Sequence, residues 1–203
     1  MWRFVKDIFD VKNIFGMQRT PIPIPIPQYP ANETVLQGIS DSVRFTPYYS
    51  SGLSIQVTKT YNGITSTNTF DDSYSGIGQF IQIDEGTDVI ITGSLQRIDC
   101  GNDVELLAVG NTITFIPAAG IGTSTRILDT RNISTATIAN PLNANIVDTI
   151  YAIPNTTPAR LLCERTLAAS SVAVGILFID RSATFADQVI AAATAKGWQI
   201  YDL

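Results

Sequence analysis

Acidic residues in the second half of the chain are the side chains best suited to catalysis. Four of them stand close to apolar runs: Asp99, Asp129, Asp148 and Asp180. Two carboxylates that converge in a cleft could cleave a glycosidic bond. However, the sequence contains no histidine, which is the commonest general base and metal ligand. It also contains no nucleophile elbow, phosphate loop or dinucleotide fingerprint. We therefore expect a solvated polar face and a protein that is not an enzyme.

Arginines near these carboxylates suggest a different use for the same region. If Asp99 and Asp129 lie on adjacent strands, they form a mixed-charge binding surface with the nearby arginines. The predicted surface consists of Arg97, Asp99, Arg126, Asp129 and Arg131. Arg126 and Arg131 are the residues whose charge reversal we expect to weaken binding to a target without unfolding the protein. We expect no cofactor at this surface.

Two cysteines, Cys100 and Cys163, are the remaining reactive groups. They form no CxxC pair, and without histidine they predict no metal site. Both stand in apolar, strand-like runs, at residues 95–100 and 161–163. A single disulfide and two buried thiols both remain open, and the apolar surroundings favour thiols.

Composition excludes several classes of protein. Of 203 residues, 45% are hydrophobic and 15% are charged, with 13 basic and 18 acidic side chains. The net charge of -5 argues against nucleic-acid binding, which needs a basic face. The apolar fraction argues against a disordered chain. No apolar run is long enough to span a bilayer, and charges within the first sixteen residues argue against a signal peptide.

Residues 1–19 predict an amphipathic docking helix, because apolar residues recur at helical spacing. Its docking residues are Trp2, Phe4, Val5, Ile8, Phe9 and Phe15. The segment through residue 30 contains four basic and two acidic side chains, and so differs in sign from the acidic remainder. A membrane-surface helix and a protein-docking helix are both open, and Asp7 and Asp10 favour the protein partner.

Residues 20–30 alternate proline with isoleucine before ending in Gln-Tyr-Pro. Alternating proline enforces an extended polyproline II rod of about 3.1 Å per residue. A stiff linker and a rod seated in a groove of a partner are both open. In the second case the docking residues are Pro21, Ile22, Pro23, Ile24, Pro25, Ile26 and Pro27.

Residues 31–93 predict a small antiparallel, β-sandwich-like domain or a small open barrel. The predicted strands are 43–45, 53–61, 64–70, 79–83 and 88–92. Asn62-Gly63 between two of them predicts a two-residue type I′ hairpin turn.

Residues 94–203 contain a recurring strand-then-Asn motif. The copies are Ile98-Asp-Cys-Gly-Asn102, Leu107-Ala-Val-Gly-Asn111, Leu128-Asp-Thr-Arg-Asn132 and Tyr151-Ala-Ile-Pro-Asn155, with a weaker one at Phe178-Ile-Asp-Arg-Ser182. After a short first step, the asparagines recur roughly every 22 residues, a spacing typical of stacked parallel coils. Near the end, Thr184-Phe-Ala-Asp187, an alanine-rich run and Gly197 predict a helix between strands at 172–180 and 198–201.

These motifs resemble the irregular leucine-rich repeats of Bacteroides-type surface proteins and of phages that infect those bacteria. The resemblance implies a parallel β solenoid closed by a β-α-β cap, in which Phe185, Val189 and Trp198 cover the last face. The expected fold is thus mainly β with some α. It comprises an extended arm, a small antiparallel domain and a leucine-rich-repeat-like domain.

The order of arm, rod, β module and repeats is similar in plan to the head fibres of crAss-like phages. This resemblance implies a structural virion protein made in the host cytoplasm, a head fibre or capsid decoration. The arm would bind capsid or tail proteins, and the repeats would bind a host surface glycan or protein. We expect a homo-oligomer, with a trimer as the first guess. A tail fibre or tail accessory protein and a bacterial leucine-rich-repeat adhesin are the alternatives.

Overall fold

The computed structural model describes residues 28–39, 42–47, 55–70, 79–82, 87–93, 95–99 and 105–203. These residues form a mainly β structure with two helices, and both helices lie after residue 156. The expected β-rich class with some α is therefore confirmed. The predicted docking helix and the Pro-Ile run to residue 27 lie outside the described residues.

Short strands make up most of the described chain. The first seven are β1 (Glu33–Ile39), β2 (Ser42–Pro47), β3 (Ile55–Tyr61), β4 (Ile64–Phe70), β5 (Gln79–Gln82), β6 (Thr87–Thr92) and β7 (Leu95–Asp99). The later ones are β8 (Leu106–Ala108), β9 (Phe115–Ile116), β10 (Ile127–Asp129), β11 (Thr137–Ile138), β12 (Thr149–Ala152), β13 (Ile176–Ile179) and β14 (Gln199–Asp202). The helices are α1 (Thr157–Ala169) and α2 (Ala186–Lys196).

Two sheets contain all of these strands. The nine-stranded sheet has the order β14-β13-β12-β10-β8-β1-β6-β3-β4, and the five-stranded sheet has the order β11-β9-β7-β2-β5. The strands from β14 to β8 are mutually parallel, whereas β1, β6, β3 and β4 are antiparallel. β1 pairs with β8, with Val35 opposite Ala108, so one sheet runs across the 93/94 position where the sequence suggested a boundary.

The antiparallel strands follow the sequence pattern closely. The β3–β4 hairpin turns at Asn62 and Gly63, whose φ angles of 47° and 78° are those of the predicted type I′ turn. β1 was not predicted, because Thr34, Val35 and Leu36 are all buried and show no alternation. A strand inserted between two others and covered on both faces loses the polar-apolar period.

The parallel strands align their apolar residues into one row of the main core. Leu107, Leu128, Ile150, Leu177 and Ile200 lie in register, and the first four are fully buried. Successive members recur at intervals of roughly 20–30 residues, the spacing expected of stacked coils. The core therefore extends from one parallel strand to the next.

Two details of the predicted repeat differ from the structure. The copy at 98–102 begins in β7, which belongs to the five-stranded sheet, so the short first step does not separate two stacked strands. In the later copies the core position is Ile150 or Leu177, one residue before the predicted Tyr151 and Phe178. Compared with the earlier copies, the chain takes one more residue to pass from the core position to Asn155. A one-residue shift moves a strand residue to the opposite face, so Tyr151 and Phe178 lie outside the core row.

The structure of α2 confirms the predicted end of the helix and corrects its predicted start. α2 ends at Gly197, which adopts a left-handed φ of 82° as predicted. Phe185 is its N-cap and makes no side-chain capping bond, so Thr184 does not start a capping box. Val189 and Trp198 are buried, and Phe185 is half-buried.

Residues 161–163, predicted to be strand-like, lie instead in α1. The missed signals are Thr156 and Pro158: the Thr156 hydroxyl accepts a hydrogen bond from the Ala159 amide, and Pro158 lies in the first turn.

Candidate binding surface

The parallel strands have a second face, directed away from the main core. Residues in register on this face are Ala108, Asp129, Tyr151, Phe178 and Tyr201, which together we call the outer face. Alternation along each strand separates them from the buried core row. Near β1 this face also packs a small second cluster of Val35, Leu106 and Ala108, with Tyr29 against it.

Three outer-face rings form an aromatic ladder of Tyr151, Phe178 and Tyr201. The centroids of Tyr151 and Phe178 are 4.6 Å apart with planes 10° from parallel, and those of Phe178 and Tyr201 are 5.6 Å apart at 31°. Parallel register places equivalent side chains one strand spacing apart, which suits ring stacking. Tyr151 and Phe178 are buried, and this burial raises the pKa of Tyr151 to about 12. The ladder becomes accessible only at Tyr201, which is half-buried.

Asp129 and Arg131 form an ion pair where β10 ends. The Asp129 carboxylate accepts hydrogen bonds from the Arg131 amide at 3.0 Å, from Nε at 2.9 Å and from Nη2 at 2.6 Å. The exposed fractions of the two side chains are 3% and 10%. The hydrogen bond to Asp129 raises the pKa of Arg131, whose guanidinium also lies 5.8 Å from the centre of the Tyr151 ring. The pair therefore connects the β10 turn to the aromatic ladder.

A small cavity of about 110 Å³ lies beside this ion pair. Its lining residues are Gln28, Tyr29, Arg131, Asn132 and Ile153. The Asn132 side-chain amide donates a hydrogen bond to the Tyr29 carbonyl at 3.3 Å. The Tyr29 hydroxyl is buried without a hydrogen-bond partner, and burial raises its pKa, with further contributions from Asp129 and Asp88. The cavity has room for a few water molecules or a small polar group.

The five residues predicted to form a charged surface do not come together. Arg97 and Asp99 lie on β7, in the five-stranded sheet, and the Arg97 guanidinium is 6.0 Å from the centre of the Phe115 ring. Asp129 lies in the other sheet, so Asp99 and Asp129 are not on adjacent strands. The physical reason is that β7 pairs with β2 and β9 rather than with β10.

Arg126 lies immediately before β10, at the opposite end of that strand from Arg131. Its Nε donates to Asp148 Oδ2 at 2.8 Å, and the Arg126 side chain is 58% exposed. Of the five predicted residues, Asp129 and Arg131 form an ion pair with each other, whereas Arg126 pairs with Asp148. The predicted docking residues of the arm, at positions 2–15 and 21–27, lie outside the described residues.

The described aspartates that suggested catalysis are occupied by nearby donors. Asp148 accepts from Arg126 and from the Thr149 hydroxyl, and Asp180 accepts from the amide and hydroxyl of Ser182. The Ser182 hydrogen bonds lower the pKa of Asp180. Within the described ranges, no group of three or more acidic or thiol side chains could hold a metal ion.

Sequence reasoning missed the aromatic ladder. The signal was present, because Tyr151 and Phe178 each open a repeat copy and Tyr201 follows Phe178 at a similar interval. Assigning those rings to the core row concealed their position on the outer face.

Comparisons with known proteins identify no relative: no family model, curated protein or solved structure matches the chain. Neither helix in the described part of the chain has the length and apolar character needed to cross a membrane.

Proposed function

We propose that the chain is a structural virion protein, a head fibre or capsid decoration that recognises a host surface molecule. The N-terminal arm, residues 1–30, attaches it to the particle. The later strands form a leucine-rich-repeat-like solenoid whose outer face meets the host glycan or protein. We expect the protein to bind its partners rather than to catalyse a reaction.

The outer face carries this proposal. Each parallel strand contributes one side chain to the outer face, and the rings of Tyr151, Phe178 and Tyr201 stack on one another. Stacked repeats commonly bind partners along such a row of strands, and this row reaches solvent at Tyr201, where a partner can contact it. Aspartates whose oxygens already bind arginine, threonine or serine are suited to holding a surface in shape.

The arm is tested by its removal. We expect a variant without residues 1–30 to fold, because the main core is built from residues after 35. It should be lost from particles of the source phage purified by density gradient, measured by quantitative mass spectrometry. Incorporation equal to that of the full chain would overturn attachment through the arm.

A matched variant separates the two interpretations of the rod. Replacing Ile22, Ile24 and Ile26 by glutamine keeps every proline and therefore the polyproline II geometry. If the isoleucines occupy a groove of the particle, incorporation falls to the level of the truncated chain. Full incorporation would leave the rod as a spacer and place attachment in residues 1–19.

Recognition is tested at the accessible end of the outer face. Tyr201→Ala should reduce attachment of the purified protein to host cells several-fold without preventing folding, since Tyr201 is half-buried. Thr184→Ala, on an exposed side chain away from the strands, is the control. Equal attachment of both variants and the original protein would remove the outer face from host recognition.

A further inference from the structure

β14 lies at the end of the nine-stranded sheet, and among the described residues it pairs only with β13. The Gln199 and Leu203 amides donate to Gly175 and Ile179 carbonyls, on the β13 side. In a strand, successive residues direct their main-chain groups to opposite sides. The amides and carbonyls of Ile200 and Asp202 are therefore directed away from β13, toward a position that a further strand could occupy.

The side chains around this edge are suited to a protein partner. Ile200 and Tyr201, at the middle of β14, are uncharged and half-buried. Val174 and Leu203, near its two ends, are 65% and 50% exposed, so both are accessible to a partner. The charged side chain of β14 is Asp202, at its end, and it is paired with Arg181. Edge strands that resist pairing usually carry an unbalanced charge in their middle, and β14 does not.

We propose that this edge binds a second copy of the same chain, with the two β14 strands antiparallel about a two-fold axis at Tyr201. This inference goes beyond the proposed function, since it concerns how the chains associate. The axis stands perpendicular to the sheet, so the core side of one copy continues the core side of the other. The same strand serves both copies, as a two-fold interface requires.

The register follows from the main-chain directions. Placing Tyr201 opposite its symmetry mate brings Ile200 of one copy opposite Asp202 of the other, and these are the residues with outward main-chain groups. The two such pairs exchange about four hydrogen bonds. Tyr201 then forms the central pair without hydrogen bonds, where side chains approach most closely. The aromatic ladders of the two copies join end to end at this point.

A second copy suits the edge better than an unrelated strand for two reasons. The edge is self-complementary in hydrogen bonding and in its central apolar pair, and its balanced charges do not repel their own image. A short ladder with a few flanking side chains buries less than a standard interface, so the dimer is weak and concentration-dependent. A two-fold pair also differs from the trimer expected from the sequence.

Cysteine cross-linking of the full chain tests the register. In a Cys100→Ser background, Tyr201→Cys should form a disulfide-linked dimer under mild oxidation, because the two thiols face each other across the axis. Gln199→Cys alone should not form a cross-linked dimer. At the usual rise per residue of a strand, the two Gln199 positions lie about 13 Å apart. Buried Cys163 is common to both variants.

Two further variants keep Tyr201 in place. In the proposed register Gln199 of one copy faces Leu203 of the other, so mixing Gln199→Cys with Leu203→Cys protein should give cross-linked dimers that neither gives alone. Ile200→Pro removes an outward amide and should abolish sedimentation as a dimer. Failure of both cross-links, or equal cross-linking by Gln199→Cys alone, would overturn the proposal. Cross-linking that appears only after residues 1–27 are removed would overturn it too, because the chain's own segment would then occupy the edge.

Discussion

Asp129 and Arg131 were selected from the sequence for their charge, and the structure gives them a structural task. Their side chains are 3% and 10% exposed, and one carboxylate receives three donors from one arginine. Charge reversal at Arg131 would therefore place two negative charges together in a buried position. Arg126 is 58% exposed and its partner Asp148 is half-buried, so Arg126 is the arginine that can be changed without this cost.

Replacing each arginine by methionine should separate these two environments. Arg131→Met leaves the buried Asp129 carboxylate without its cation and should lower the free energy of unfolding by about 3–5 kcal/mol. Arg126→Met, its matched control, should change the free energy by less than about 1 kcal/mol, because an exposed pair contributes little. Urea denaturation followed by circular dichroism measures both. Equal losses in the two variants would show that burial does not distinguish the Asp129–Arg131 pair from the Arg126–Asp148 pair.

Cys163 should be chemically inert while the protein is folded. Its thiol is fully buried in α1, and burial raises its pKa to about 12, although the Thr130 hydroxyl lies 3.3 Å from the sulfur. The thiolate is the reactive form, and in the unfolded chain it appears near the ordinary pKa of 9.0. In a Cys100→Ser variant, alkylation by iodoacetamide at about pH 9 should be at least about a hundredfold slower before denaturation than after it. Similar rates in the two states, read by mass spectrometry, would place the thiol at the surface.

Residue types alone could identify the charged candidates but not their partners. Arg97, Arg126 and Arg131 look alike in the sequence, yet one lies over a phenylalanine ring, one in an exposed ion pair and one in a buried ion pair. The difference arises from strand pairing, which the local sequence does not specify. Strand pairing is also the reason that Asp99 and Asp129 lie in different sheets.

At the scale of elements, β13 depends on a glycine because two other segments approach it closely. A Cβ atom at Gly175 would meet the Trp198 ring at 2.5 Å and the Asp148 carbonyl at 2.7 Å. Trp198 is held by its own hydrogen bond to the Val172 carbonyl. The beginning of β13 is therefore fixed between the end of α2 and the strand before it.

Gly175→Ala should lower the free energy of unfolding by about 1–3 kcal/mol, because a rigid ring and a backbone carbonyl cannot both move aside. Gly63→Ala is a useful comparison: its Cβ would contact nothing within 4 Å, but its φ of 78° is unfavourable for alanine. Both can be measured by thermal unfolding. Only Gly175→Ala should also alter the near-ultraviolet signal of Trp198, because the added methyl group would press on that ring. An unchanged signal with unchanged stability would contradict the close packing at Gly175.

Elements with a strong local signal were predicted correctly. Asn62-Gly63 and Gly197 require left-handed backbone, which few residues favour, and both positions could be identified without knowing the fold. β1 and α1 were missed because their cues compete with other patterns. A strand buried on both faces has no alternation, and α1 contains an apolar Leu161-Leu162-Cys163 run that also suits a strand.

For the whole molecule, the sequence suggested separate modules, whereas nine of the described strands form one sheet that runs across the predicted boundary. β1, at the start of the chain's antiparallel part, lies between β6 and the first parallel strand, β8. Non-local pairing of this kind depends on tertiary contacts that composition and periodicity do not encode. The repeat spacing nevertheless predicted the parallel row, since each step of about 22 residues brings one apolar residue back to the core.

The junction between β1 and β8 should make the antiparallel and parallel strands unfold together. It is held by the Gly110 amide, which donates to the buried Thr34 hydroxyl at 3.1 Å, and by the Asn111 amide, which donates to the Ala31 carbonyl at 2.7 Å. Thr34→Val keeps the shape of the side chain but leaves the Gly110 amide without its acceptor. The loss should be about 1–3 kcal/mol.

Hydrogen exchange can show whether that loss is shared. Since about 1.4 kcal/mol corresponds to a tenfold change in an equilibrium constant, the most protected amides of β6 and of β12 should exchange about five- to a hundredfold faster in Thr34→Val, and by the same factor. Thr60→Val, which removes an exposed hydroxyl contact with Thr65 in the hairpin, should change neither group measurably. Faster exchange in β6 with unaltered exchange in β12 would mean that the two parts of the sheet open separately. The described chain would then contain two independently folding units, and the nine-stranded sheet would be a contact between them rather than the basis of one cooperative structure.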